Sequence, residues 1–93
     1  MNRGRFIALD GLDGSGKSTQ IARLADWLRS RGLVVTTCRD PGSTAVGDAV
    51  RAILLDRRDL HVAPTAEMLL YMAARAQLVA EVVVPALERG EWV

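Results

Sequence analysis

The most constraining stretch of this chain is Gly11-Leu12-Asp13-Gly14-Ser15-Gly16-Lys17-Ser18, which satisfies G-x-x-x-x-G-K-[ST] at every position. Its glycines reach backbone angles closed to other residues and let main-chain N–H groups approach an anion closely. Lys17 is a mobile point charge suited to β- and γ-phosphates, and the Ser18 hydroxyl is the expected Mg²⁺ ligand. The context fits the mechanism. An apolar run at residues 6–9 reads as a buried strand before the loop, and Ile21, Leu24, Ala25 and Leu28 lie on one face of a helix after it. That helix points its positive dipole end at the same anion. Of 12 basic residues, Lys17 is the sole lysine. The bland alternative is a glycine-rich turn that merely opens a helix, and the strand–loop–helix order argues against it. The glycine order is not G-x-G-x-x-G, so dinucleotide-binding and protein-kinase loops fit poorly.

Further along, Gly32 reads as a helix C′ residue, and the β-branched run at residues 33–38 reads as a second buried strand. Asp40-Pro41-Gly42 marks a turn. Ser43 or Thr44 can cap a short helix with Val46, Val50, Ile53 and Leu54 on its apolar positions. Residues 56–64 form a polar connection, in which His61 and the Arg57-Arg58 pair read as solvated. Thr65 then opens a long helical stretch towards Leu87. Pro85 is expected to kink or divide it, and Gly90 to stop it. Glu91-Trp92-Val93 reads as the start of a third strand. The order is that of an α/β fold with a parallel sheet flanked by helices.

Ninety-three residues suit at most one small domain, and a net charge of +1 offers no broad basic field for nucleic acid or anionic lipid. The single cysteine, Cys38, excludes an internal disulfide and reads as a strand residue in a reducing compartment. The apolar run behind the basic N-terminus is too short for a signal peptide, and no run is expected to approach membrane-spanning length. A cytoplasmic location is the expectation.

The chain resembles the thymidylate kinase family, a group of P-loop nucleoside monophosphate kinases, over essentially its whole length. The resemblance is carried by Leu9 to Gln20, by Arg39-Asp40-Pro41-Gly42-Ser43-Thr44 and by Arg51-Ala52-Ile53-Leu54-Leu55. It continues through Tyr71-Met72-Ala73-Ala74-Arg75-Ala76-Gln77 and Pro85-Ala86-Leu87-Glu88-Arg89-Gly90-Glu91-Trp92-Val93. The family usually has Glu where Asp40 stands and Gly where Ser43 stands.

The resemblance implies phosphoryl transfer from ATP to dTMP, giving dTDP and ADP for dTTP biosynthesis, with Mg²⁺. It implies an ATP site at Gly11, Leu12, Asp13, Gly14, Ser15, Gly16, Lys17, Ser18 and Thr19, with Ser18 on the metal. Lys17 and Asp13 would be catalytic, and dTMP would meet Asp13, Arg39, Tyr71 and Arg75. Residue chemistry agrees: a carboxylate at Asp13 accepts a sugar hydroxyl, and Tyr71 and Arg75, four apart, project from one helix face. Arg39 sits at a strand's C-terminal end, where open α/β sheets bind ligands, although a structural role there is nearly as plausible. Glycine at Gly14 resembles the family type that draws its arginines from a later lid.

Implied partners are ATP and dTMP, with no nucleic acid or membrane, and a homodimer for the complete protein. In the implied fold strand three lies between strands one and two. The expectation is that residues 1–93 are the N-terminal part of one kinase domain, stopping before the third strand is finished and before the lid. Alone, they should fold poorly and turn over negligibly. Alternatives are another small-molecule P-loop kinase, acting on a different nucleoside monophosphate or a deoxynucleoside, and a non-catalytic nucleotide-binding fragment. A GTPase fits less well, since no Asn-Lys-x-Asp is present.

Overall fold

A computed structural model describes residues 4–11 and 16–93. They fall into two compact units, one drawn from Met1–Thr37 with Ala86–Val93 and the other from Cys38–Pro85.

In the first unit, α1 spans Lys17–Ser30 and buries Ala25 and Leu28, with Ile21 and Leu24 half-buried beside them. This is the stripe that the spacing predicts. Its C-terminus is closed by Gly32 at φ +82°. The Gly32 N–H donates to the Arg29 carbonyl at 2.9 Å and the Leu33 N–H to the Leu28 carbonyl at 3.2 Å. That paired pattern satisfies two otherwise orphaned carbonyls, and it needs a residue that enters the left-handed region without a Cβ penalty. Gly90 ends the last helix in the same way, with Gly90 N–H donating to Leu87 and Glu91 N–H to Ala86, both at 3.0 Å.

The expected parallel sheet is not formed as such. Among the described residues there is no strand, and Val35 and Trp92 make one isolated parallel bridge. Trp92 N–H donates to the Val34 carbonyl and Thr36 N–H to the Trp92 carbonyl, each at 2.8 Å. On the other side, Val93 N–H donates to the Arg5 carbonyl and Ile7 N–H to the Val93 carbonyl, also at 2.8 Å. The last segment therefore lies between the other two, in the order the family resemblance implies. Side chains reinforce the junction. Thr36 Oγ1 donates to Glu91 Oε1 at 2.7 Å, and Arg89 Nε also donates to the Glu91 carboxylate. Arg89 first, then Thr36, holds this carboxyl below the usual range. Gly4 is pressed so closely on this segment that a Cβ there would stand 1.6 Å from the Glu91 carbonyl oxygen. Beneath α1 lies a half-open apolar hollow of about 30 Å³ whose lining includes Ile7, Leu24, Leu28, Val35 and Trp92.

In the second unit, α2 spans Ala45–Arg51 and is capped by Thr44, whose Oγ1 accepts from the Gly47 N–H at 2.8 Å. Thr44 and not Ser43 takes this role. A π-helical segment, Ala52–Asp56, continues α2 and closes with the Arg57 N–H on the Ala52 carbonyl at 3.0 Å. Helix α3 spans Pro64–Leu78 and packs against α2. It begins one residue before the expected Thr65, because proline at the first helical position has its φ preset and gives up no needed donor.

Regular α-helix is interrupted just ahead of Pro85, as expected, between Leu78 and Val84. The chain stays helical over Pro64–Glu88, passing through a π-helical segment at Val79–Val83 into α4, Val84–Glu88. At the junction Val84 N–H bonds back five residues, to the Val79 carbonyl. The wider turn loosens the helix where the Pro85 ring would crowd the carbonyl four residues earlier and supply no donor. By length and composition this 25-residue helix could cross a membrane, which corrects the expectation that no run approaches that length. It carries Glu67, Arg75, Glu81 and Glu88, and the core helix of a soluble protein meets the same test.

The buried apolar residues are small in number and mostly small in size: Ala25, Leu28 and Ala86 in the first unit, and Val50, Ala74, Leu78 and Val83 in the second. Large apolar side chains such as Phe6, Trp27, Met68, Leu69 and Met72 are exposed.

Candidate active site

The phosphate loop opens at Gly11 and closes at Gly16, and Leu12, Asp13, Gly14 and Ser15 lie outside the described residues. At its near end, Asp10 Oδ1 accepts from the Gly11 N–H at 2.9 Å. At its far end Gly16 adopts φ +87°, the left-handed turn from which α1 departs. Lys17 Nζ donates to the Gly11 carbonyl at 2.7 Å, so the ammonium bridges from the helix to the loop's first residue. No side chain caps the start of α1 and no acidic residue occupies its first turn. Among the described residues, then, no capping side chain or first-turn carboxylate competes for its leading N–H groups, and the dipole favours an anion there. Ser18 and Thr19 are exposed on the first turn.

In the other unit, the turn after Cys38 contains a cis Asp40–Pro41 peptide bond, with Gly42 at φ +135° and Ser43 at φ +65°. A positive φ is unusual for serine, and here it is compensated by two bonds. Ser43 Oγ accepts from the Arg39 N–H at 2.8 Å, and Ser43 N–H donates to Asp48 Oδ1 at 3.2 Å. Pro41 and Gly42 are buried, and Arg51 Nη1 donates to the Pro41 carbonyl at 3.0 Å. Tyr71, half-buried, and Arg75, exposed, stand one turn apart on α3. Arg75 Nε donates to Asp40 Oδ2 at 2.7 Å.

Of the residues singled out in the sequence, Lys17 and Ser18 thus meet at one helix start. Arg39, Tyr71 and Arg75 share the second unit, the last two on one helix. Two members of that cluster were missed. Asp40 and Arg51 stand inside the motifs that carry the family resemblance, but no signal in one sequence ties Asp40 to a guanidinium 35 residues away. The Cys38 thiol is half-buried, and burial, then the Asp40 charge, pushes its pKa up. That is the opposite of what a nucleophilic thiol needs. His61 is exposed, and Arg57 pairs with Asp59 at 2.7 Å on the surface.

The sequence model of the thymidylate kinase family matches residues 9–93. The chain belongs to the thymidylate kinase family. It is 53% identical over 93 residues to a thymidylate kinase of Nitrosomonas eutropha, covering 100% of this chain and 43% of that one. It is likewise 53% identical over 93 residues to one of Deinococcus radiodurans, covering 45% of it. A crystal structure of thymidylate kinase from Ehrlichia chaffeensis superposes with a TM-score of 0.79 at 32% identity, over 98% of this chain and 51% of that one. The chain therefore spans less than half the length of the curated thymidylate kinases it matches, and its described residues share the fold of the corresponding part of the family.

Proposed function

We propose that the complete protein transfers the γ-phosphoryl group of ATP to dTMP, giving dTDP and ADP on the route to dTTP. The observation that carries this reading is the family match, which spans both the phosphate loop and the Tyr71–Arg75 helix. On this reading residues 1–93 are the N-terminal part of one domain, and the segments around Ile7, Val35 and Trp92 become neighbouring strands of a parallel sheet. Location in the cytoplasm and assembly as a homodimer belong to the same reading.

Phosphoryl transfer requires little covalent chemistry from a protein, so positioning and charge stabilisation dominate. The N–H groups at the start of α1 hold phosphate oxygens, and Lys17 exchanges its Gly11 contact for the β- and γ-phosphates. Gly11 through Thr19 enclose the triphosphate. Asp13 accepts a hydrogen bond from the acceptor's 3′-hydroxyl. Tyr71 stacks on thymine, and Arg75, with Arg39 nearby in the turn, addresses the acceptor's base edge and phosphate. Ser18 is exposed on a first turn without carboxylates, which suits Mg²⁺ held mainly by phosphate oxygens and water. No cluster of three His, Cys, Asp or Glu among the described residues could hold a metal unaided. Mg²⁺ would supply charge neutralisation at the transferred group.

An acceptor panel tests the reading. The complete protein, given ATP, Mg²⁺ and in turn dTMP, dUMP, AMP and thymidine, should show its highest kcat/KM with dTMP, by about tenfold or more. A preference for AMP or a nucleoside would assign it to a different P-loop kinase.

A further inference from the structure

We infer that Asp40 is a positioning residue for the acceptor, fixing the orientation of the Arg75 guanidinium; this rests on the functional reading above. The bond from Arg75 Nε to Asp40 Oδ2 joins α3 to a turn 35 residues earlier in the chain. The side chain of Asp40 is 27% exposed and that of Arg75 60%, so the carboxylate is the more enclosed, anchoring member. A charge-assisted bond at Nε sets the plane of a rigid guanidinium in a way that an ammonium could not reproduce.

An anchor is useful only if it is itself held, and this one is. Pro41 and Gly42 behind it are buried. Arg51 Nη1 grips the Pro41 carbonyl, and Asp48 Oδ1 accepts from the Ser43 N–H. Both arginine and aspartate stand on α2, whose N-terminus is capped by Thr44 from the same turn. The path is continuous: α2 braces the turn, the turn holds Asp40, and Asp40 aims Arg75. An ion pair this exposed contributes little to stability, so geometry is what the contact supplies.

The test is initial-rate kinetics on the complete protein with Asp40→Asn, Asp40→Glu, Arg75→Ala and the double variant Asp40→Asn/Arg75→Ala. Asp40→Asn should raise the KM for dTMP about tenfold while the KM for ATP stays within about twofold. Its melting temperature should stay within about 2 °C of wild type, as an exposed pair requires. Asp40→Glu should restore the dTMP KM to within about threefold of wild type. In the Arg75→Ala background, Asp40→Asn should add nothing, because the two act as one unit. If the two single effects multiply in the double variant, or both KM values rise together, Asp40 does not work through Arg75 and the inference falls while the functional reading stands. A melting temperature lowered by more than about 5 °C would make the contact structural and overturn it too. Absence of dTMP phosphorylation by the wild-type protein would remove the functional reading and this inference with it.

Discussion

Replacing Lys17 with alanine in the complete protein is expected to lower kcat/KM for dTMP phosphorylation by roughly a thousandfold, the scale seen when one preorganised charge-stabilising donor is lost. The Lys17 ammonium already sits at the loop. Its Nζ lies 2.7 Å from the Gly11 carbonyl, already poised across the loop that would hold the triphosphate. Negative charge in phosphoryl transfer is spread over the oxygens of the transferred group, and a positive charge there lowers the barrier more than it strengthens substrate binding. The loss should therefore fall mainly on kcat. Lys17→Arg should not restore activity, since a planar fork cannot occupy the space of a compact ammonium on a flexible stem. Steady-state kinetics with saturating ATP checks both variants, and a rate within about tenfold of wild type for Lys17→Ala would remove the mechanism.

The second large effect is specific to the acceptor. Tyr71→Ala should raise the KM for dTMP by roughly 5- to 150-fold, the equivalent of about 1–3 kcal/mol lost when a base loses its aromatic platform. Tyr71 is half-buried on α3, one turn before Arg75, so its ring is held by the helix and not by the nucleotide. Removing the ring leaves the phosphate loop intact, and the KM for ATP should change by no more than about twofold. Phenylalanine at the same position should retain most of the affinity, because stacking uses the ring face and not the hydroxyl. Comparing the two KM values for each variant decides the matter; equal rises in both would show that Tyr71 supports the fold and not the base.

How far the sequence was legible follows from how local each signal is. The helix start at Lys17, the α1 stripe of Ile21, Leu24, Ala25 and Leu28, and the glycine stops at Gly32 and Gly90 depend on neighbours within a few residues, and each stands where expected. The cap at Thr44 was one of two named choices. What the sequence shows less fully is non-local or geometric. Strand pairing is one such case: three apolar segments suggest a sheet, and among the described residues they show one parallel bridge, Val35 with Trp92. Pro85 signals an interruption, but its form, a π-helical segment at Val79–Val83, is not visible in the sequence. The Asp40–Arg75 contact crosses 35 residues and leaves no periodic trace. Ser43 shows a case between these. A left-handed φ of +65° suits glycine best, and the serine keeps that conformation with bonds to Arg39 and Asp48.

The central claim is that the start of α1, with Lys17 and Ser18, receives the phosphates of ATP. A crystal structure of the complete protein with a non-hydrolysable ATP analogue, Mg²⁺ and dTMP tests it most directly. The account predicts β-phosphate oxygens within about 3 Å of the backbone N–H groups that open α1, with Lys17 Nζ moved from the Gly11 carbonyl onto the triphosphate. A triphosphate bound away from this helix start, or Lys17 still on Gly11 with the nucleotide in place, would contradict it.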